Sequence, residues 1–166
     1  MDDVQFAASA VLDACRARGW KVATAESCTG GLVAGALTEI AGSSDVVDRG
    51  FVTYSNEAKQ QMLGVPAATL RDYGAVSRQT AEAMARGALS KSKVDLAVAI
   101  TGVAGPGGGS ADKPVGLVHF AAATRDGTSM HAAKRYGDIG RQQVREKSVL
   151  QALAMLKELA GEIPQK

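Results

Sequence analysis

An apolar, β-branched run from Lys21 to Ala25 gives way, across Glu26-Ser27-Cys28-Thr29-Gly30-Gly31, to apolar residues at Val33, Ala36, Leu37 and Ile40. The first run reads as a short buried strand, and the i, i+3, i+4, i+7 spacing of the second is helical. A strand that passes directly into a helix commits this part of the chain to an α/β arrangement. Ser27 falls in the turn between them. Small residues there let a substrate approach the backbone, and the free amides of a helix start carry a positive field. A serine hydroxyl so placed suits an anion site, or a nucleophile beside a ready-made oxyanion hole. Capping of the helix by Ser27 or Thr29 explains the same residues without chemistry and is the commoner use of Ser and Thr. The rest of the chain decides between these readings.

Val4, Ala8, Val11, Leu12 and Cys15 mark an amphipathic first helix that ends at the basic turn before Gly19. A second strand lies within Val46 to Tyr54. Ser55-Asn56-Glu57-Ala58-Lys59 reads as the cap and first turn of a helix running to Leu63, stopped by Gly64 and Pro66. Ser77 caps a further helix with Ala81, Met84, Ala85 and Ala88 inward. Asp95 to Ile100 is a near-continuous apolar strand of the kind buried on both faces. Val115 to Ala123 and Ser129 to Tyr136 are strands joined by a hairpin signal, Thr124-Arg125-Asp126-Gly127, and a last helix runs from about Gly140 to Ala160. This order predicts a three-layer α/β/α domain whose mixed sheet has about five to six strands and includes a C-terminal hairpin. At 166 residues the chain suits a single domain over residues 1–166 that buries its core without staples. Hydrophobic residues make up 46% but aromatics only 4%, so the core is built from Ala, Val, Leu and Ile, which with 19 Gly suits close helix-on-sheet packing.

Several function classes are disfavoured. The net charge of +2 is spread without a basic block, which gives no electrostatic case for nucleic acid. With no signal peptide and no long apolar run, a soluble, cytoplasmic chain without a membrane partner is expected. Cys15 and Cys28 show no ligand spacing and are expected to stay reduced, with Cys15 on the apolar stripe of the first helix. His119 and His131 both lie in strand segments and poorly suit a metal site or a serine–histidine relay. No metal and no cofactor are expected.

In such a sheet, ligands sit where loops at the carboxyl ends of strands converge. Three of those loops carry unusual residues: the Ser27 turn, Tyr54 to Lys59, and Thr101 to Ser110, which has five glycines among the eight residues from Gly102 to Gly109. The last is not a P-loop, since no Gly-Lys-Ser/Thr follows, and it reads equally as a flexible surface loop or a binding loop. Most lysines are solvated surface groups. Lys59, however, sits in a helix's first turn, where the dipole disfavours an ammonium and lowers its pKa. A depressed lysine is the base that a serine nucleophile needs when no histidine is at hand. Tyr54 is either a rim aromatic or a group that relays a proton or flanks a planar ring. Arg141 and Arg145 read as exposed helix charges, or as cations held at an unfavourable helix start by an anionic ligand or a carboxylate.

Ala25-Glu26-Ser27-Cys28-Thr29-Gly30-Gly31, Tyr54-Ser55-Asn56-Glu57-Ala58-Lys59, Gly74-Ala75-Val76-Ser77, Thr101-Gly102-Val103-Ala104-Gly105-Pro106 and Lys113-Pro114-Val115-Gly116 together closely resemble the C-terminal domain of the CinA (competence/damage-inducible) family. The resemblance spans nearly the whole chain. Many members carry a larger N-terminal domain, whose function is not transferred. The resemblance implies a metal-independent Ser/Lys amidase that converts nicotinamide mononucleotide to nicotinate mononucleotide and ammonia. On the family's motifs Ser27 matches the nucleophile, and Lys59 with Tyr54 matches the proton-handling pair. Arg141 matches the arginine that opens an Arg-x-x-Val-Arg helix start, although Ile139-Gly140 lie between Gly137-Asp138 and Arg141, where the family usually runs Gly-Asp straight into the arginine. Substrate contacts are expected from Thr29, Gly30, Gly31, Thr101, Gly102, Gly105 and Arg141, with amides around Thr29 to Gly31 as the oxyanion hole. A homo-oligomer, a dimer or larger, is also expected. Two other readings stay open. One is a non-catalytic nucleotide-binding regulatory module linked to competence or DNA damage, and the other is a Ser/Lys amidase for another small amide.

Overall fold

The computed structural model describes residues 1–161. Its elements are α1 (Asp3–Arg18), β1 (Val22–Glu26), α2 (Leu32–Thr38), β2 (Val47–Val52), α3 (Asn56–Leu63), α4 (Ala67–Tyr73), α5 (Arg78–Ser90), β3 (Leu96–Gly102), β4 (Leu117–Thr124), β5 (Ser129–Arg135) and α6 (Arg141–Gly161). Five strands form one mixed sheet in the order β2-β1-β3-β4-β5. β1 runs parallel to both β2 and β3, while β3–β4 and β4–β5 are antiparallel.

The pleat divides the central strands between two cores. Val98, Ile100, Val118 and Phe120 pack with α1, α2 and α6 on one face, whereas Ala97, Ala99, Ala121 and Ala123 face α3 and α5 on the other. The alanine face draws α5 close to the sheet, and α5 in turn meets the end of α3. Gly87 makes that last contact possible. A methyl there would lie 2.1 Å from the Leu63 carbonyl oxygen. Helix propensity alone favours alanine at such a position by about 1 kcal/mol. We expect overpacking to reverse the sign, so that Gly87→Ala loses about 1–3 kcal/mol. Its thermal midpoint should fall by several degrees; a raised midpoint would show that the α3–α5 contact yields freely.

The sequence-predicted order of strands and of the capped helices holds, with three departures. Helix α4 was not anticipated, because it buries a single apolar side chain, Leu70, and so shows no periodicity. Strand β3 extends through Thr101 and Gly102, since β4 continues to pair with it as far as Gly102 opposite Val118. Strand β4 starts at Leu117 rather than Val115. Gly116, at φ +91°, turns the chain where a Cβ would meet the Gly137 backbone at 2.3 Å. Among the described residues, no helix is long and apolar enough to cross a membrane.

With β1, β2 and β3 mutually parallel, their carboxyl ends lie on one edge of the sheet. The Ser27 turn, the Thr53–Ser55 segment and the end of β3 therefore meet there. The N-terminus of α6 reaches them through Arg141 and Arg145.

Candidate active site

Ser27 continues β1 by one more bond, its amide donating to the Ile100 carbonyl at 2.9 Å. The helix that follows is capped from behind. The carboxylate of Glu26, fully buried, accepts from Thr29 Oγ1 at 2.6 Å, the Val33 amide at 2.9 Å and the Ala34 amide at 3.0 Å. Gly31, in the left-handed region, occupies the cap position itself and has no side chain to offer. The capping explanation for Ser27 and Thr29 thus gives way to Glu26, and the Ser27 hydroxyl is left for other work. Sequence reasoning gave Glu26 no role. Its signal was a lone acid at the end of an otherwise apolar strand, which must find donors if it is buried.

Lys59 meets Ser27 directly. Its Nζ lies 3.1 Å from Ser27 Oγ, 3.1 Å from the Thr53 carbonyl and 3.3 Å from the Tyr54 carbonyl. Residue 59 is 1% exposed, so a whole lysine side chain is packed inside. Ser55 caps α3 through the Ala58 amide, which fixes the first turn that carries Lys59. Among the described residues Lys59 has no ion-pair partner, and burial holds its pKa below the ordinary lysine value. Of the causes open to such a lysine, loss of water is the one that lowers it here. The neighbouring Cys28 thiol is also buried, which pushes its pKa up to about 11 and keeps it protonated at neutral pH.

Tyr54 is largely exposed, and its hydroxyl accepts from Arg141 Nη2 at 2.8 Å. Arg141 Nη1 donates to the Gly105 carbonyl at 2.9 Å, so one guanidinium ties the loop after β2 to the loop after β3. Arg145 donates to the carbonyls of Cys28 and Thr29, at 3.2 and 3.4 Å. The carboxylate partner expected for these arginines is not what holds them within the described residues. Backbone carbonyls and a phenol do so instead.

These groups surround an open cavity of about 210 Å³, lined by Ser27, Lys59, Tyr54, Thr101, Gly102 and Arg141 together with Cys28, Asn56 and the Ala75-Val76 pair. Thr101 Oγ1 donates to the Ala75 carbonyl at 2.8 Å and so binds the loop before α5 to the end of β3. Sequence reasoning quoted residues 56, 75 and 76 within motifs but gave them no task. Three expected contacts fall elsewhere. Thr29 is fully buried behind the turn, the Gly30 amide donates to the Ser27 carbonyl at 3.0 Å, and Gly31 lines a separate groove with Leu32 and Glu39. Of the amides after Ser27, that of Cys28 belongs to a residue that does line the cavity. Gly105 stands outside the lining but anchors Arg141. The exposed glycines from Gly107 to Gly109 are not in the lining.

His119 and His131 pair with one another across β4 and β5, with ring nitrogens 3.1 Å apart, and neither lines this cavity. Burial, followed by the charge of His131, pushes His119 down to about 4, so it is neutral near pH 7. Among the described residues, no three His, Cys, Asp or Glu side chains gather where they could hold a metal ion.

Residues 4–160 match the CinA C-terminal domain family. Among similar proteins, the nicotinamide-nucleotide amidohydrolase PncC of Escherichia coli K12 is 53% identical over 144 residues, covering 86% of each chain. A putative competence-damage inducible protein of Caldicellulosiruptor bescii is 48% identical over 155 residues, 93% of this chain; the present chain spans only 37% of its length. The crystal structure of the competence/damage inducible protein CihA from Agrobacterium tumefaciens superposes with a TM-score of 0.94 at 59% identity, covering 96% of both chains.

Proposed function

We propose that this chain, which belongs to the CinA C-terminal domain family, is a nicotinamide-nucleotide amidohydrolase in which Ser27 is the nucleophile and Lys59 its base. The observation that carries this reading is the 3.1 Å contact between a buried lysine amine, without an ion-pair partner among the described residues, and a serine hydroxyl that lines a cavity. A neutral Lys59 amine has two N–H bonds and one lone pair. The Thr53 and Tyr54 carbonyls accept the two N–H bonds, which turns the lone pair toward the Ser27 O–H.

Ser27 Oγ then attacks the carboxamide carbon as its proton passes to Lys59 Nζ. The developing oxyanion takes the amide N–H of Cys28, the residue after the nucleophile. As the tetrahedral adduct collapses, the C–N bond breaks and the Lys59 ammonium returns the proton to the departing ammonia. Water attacks the resulting nicotinoyl ester with Lys59 again as base, and Ser27 recovers its proton as nicotinate mononucleotide leaves. This route needs no relay: the Lys59–Ser27 contact is direct, and the Tyr54 hydroxyl is engaged by Arg141. Tyr54 and Arg141 instead form one wall of the cavity, where the ring can lie along a pyridine and the guanidinium can face a phosphate.

The test is incubation with nicotinamide mononucleotide, followed by measurement of nicotinate mononucleotide and ammonia. Product formation supports the reading, and its absence at high enzyme concentration removes it. Arg141 adds a finer expectation. Nicotinamide riboside, which lacks the phosphate, should be a much poorer substrate than the mononucleotide, and Arg141→Ala should narrow that gap by raising KM for the mononucleotide about tenfold or more. Equal losses on both substrates would assign Arg141 to the amide chemistry or the fold.

A further inference from the structure

We infer that Arg145 is a positioning residue that aims the oxyanion-binding amide of Cys28 through the three peptide planes between Ser27 and Gly30. The inference rests on the Ser27 reading above and assigns Arg145 a task distinct from that of Arg141. In a trans peptide the C=O and N–H point to opposite sides, so fixing one fixes the other. The Thr29 carbonyl accepts from the Leu32 amide at 3.0 Å and from Arg145 Nη2 at 3.4 Å, and the two together turn the Gly30 N–H the other way. That N–H donates to the Ser27 carbonyl at 3.0 Å, and the Ser27 carbonyl in turn fixes the direction of the Cys28 N–H. Arg145 Nε holds the intervening plane through the Cys28 carbonyl at 3.2 Å, so no plane in the turn is free to flip. Gly30 takes φ +55°, and a Cβ there would stand 3.4 Å from Arg145 Nη2, so the turn and the guanidinium fit only closely. Glu26 holds the same turn from its other side through the Thr29 hydroxyl.

The planar guanidinium is what this task requires. It presents two N–H groups in fixed relation to two carbonyls, and a lysine ammonium would satisfy one carbonyl at a time. It also explains why a cation is tolerated in the second turn of α6 without an ion pair among the described residues: two carbonyl dipoles take the place of a counter-charge.

The experiment compares wild type with Arg145→Ala and Arg145→Lys in three measurements: kcat and KM on nicotinamide mononucleotide across pH, affinity for nicotinate mononucleotide, and the rate of Ser27 acylation by p-nitrophenyl acetate, with Ser27→Ala as the blank. Misaiming an oxyanion donor should lower kcat and the acylation rate by about tenfold to a hundredfold for Arg145→Ala. Arg145→Lys should be partly rescued. Product affinity and the pH of the Lys59 limb should stay where they are in wild type, which a general loosening of the site would not allow. Should Arg145→Ala fail to fold, Arg145→Lys carries the same comparison. Unchanged kcat and acylation, or a product affinity that falls by the same factor as kcat, would overturn the inference. If wild type leaves the mononucleotide untouched yet is acylated at Ser27, the substrate reading fails. A slowed acylation in the Arg145 variants would still support the positioning role, and an unslowed one would overturn it.

Discussion

Ser27→Ala should lower kcat for deamidation by at least about 10³-fold while leaving the thermal midpoint nearly unchanged. The size follows from the hydroxyl's place in the proposed mechanism, in which no acyl-enzyme forms without Oγ and only water remains to attack. The small effect on stability follows from the local structure. The turn is held by Glu26 on the α2 amides and by Arg145 on the Cys28 and Thr29 carbonyls, and none of these bonds uses the Ser27 side chain. Cys28→Ala is the paired control. The adjacent thiol is a plausible nucleophile on chemical grounds alone, but burial pushes its pKa up to about 11 and leaves almost no thiolate near pH 7. We expect Cys28→Ala to keep kcat within a few-fold. Steady-state assays with folding checked by thermal melts decide the matter, and an active Ser27→Ala beside a dead Cys28→Ala would transfer the chemistry to the thiol.

What the sequence made legible was whatever is encoded locally. Helix α3 begins and ends where expected because both signals sit within a few residues: the Ser55 hydroxyl on the Ala58 amide, and Gly64 in the left-handed region. Ser27 and Lys59 were nominated by their places at strand and helix ends, and the fold brings those ends together. Long-range choices were hidden. The end of β3 is set by its pairing with β4, and nothing in residues 96–102 alone announces it. Whether Tyr54 relays a proton or flanks the substrate stayed open in the sequence; its hydroxyl meets Arg141 across 87 positions of sequence, and its carbonyl is what accepts from the lysine. The oxyanion donor was placed at Thr29 to Gly31 because glycines suggest open backbone. The structure turns those glycines to shaping the turn, with Gly30's amide spent on the Ser27 carbonyl, and leaves Cys28 at the cavity. A cap read as Ser or Thr turned out to be Glu26, because a buried carboxylate can accept several donors and a hydroxyl cannot match it.

Lys59→Arg should be as inactive as Lys59→Ala, because a guanidinium keeps the charge but does not surrender its proton near neutral pH. The wild-type rate should climb with pH along a limb set by loss of the Lys59 proton, at a pH below the ordinary lysine value of about 10.4. The same depression predicts a stability signature that needs no substrate. Below the folded-state pKa both the folded and the unfolded chain hold this proton, and the folded state bears the full penalty of a buried ammonium. Between the folded pKa and about 10.4 the unfolded chain binds more protons than the folded one, so stability rises with pH across that window. Above it the contribution is level. Lys59→Met keeps an unbranched side chain one atom shorter and without the charge, and should flatten this rise, whatever its effect on the midpoint at one pH, where the loss of the ammonium's penalty is opposed by an undonated Thr53 carbonyl. Denaturant melts of wild type and Lys59→Met between pH 6 and about 10 measure the difference. A difference that is flat with pH, together with an active Lys59→Arg enzyme, would mean that Lys59 titrates as an ordinary lysine and that the base for Ser27 lies elsewhere.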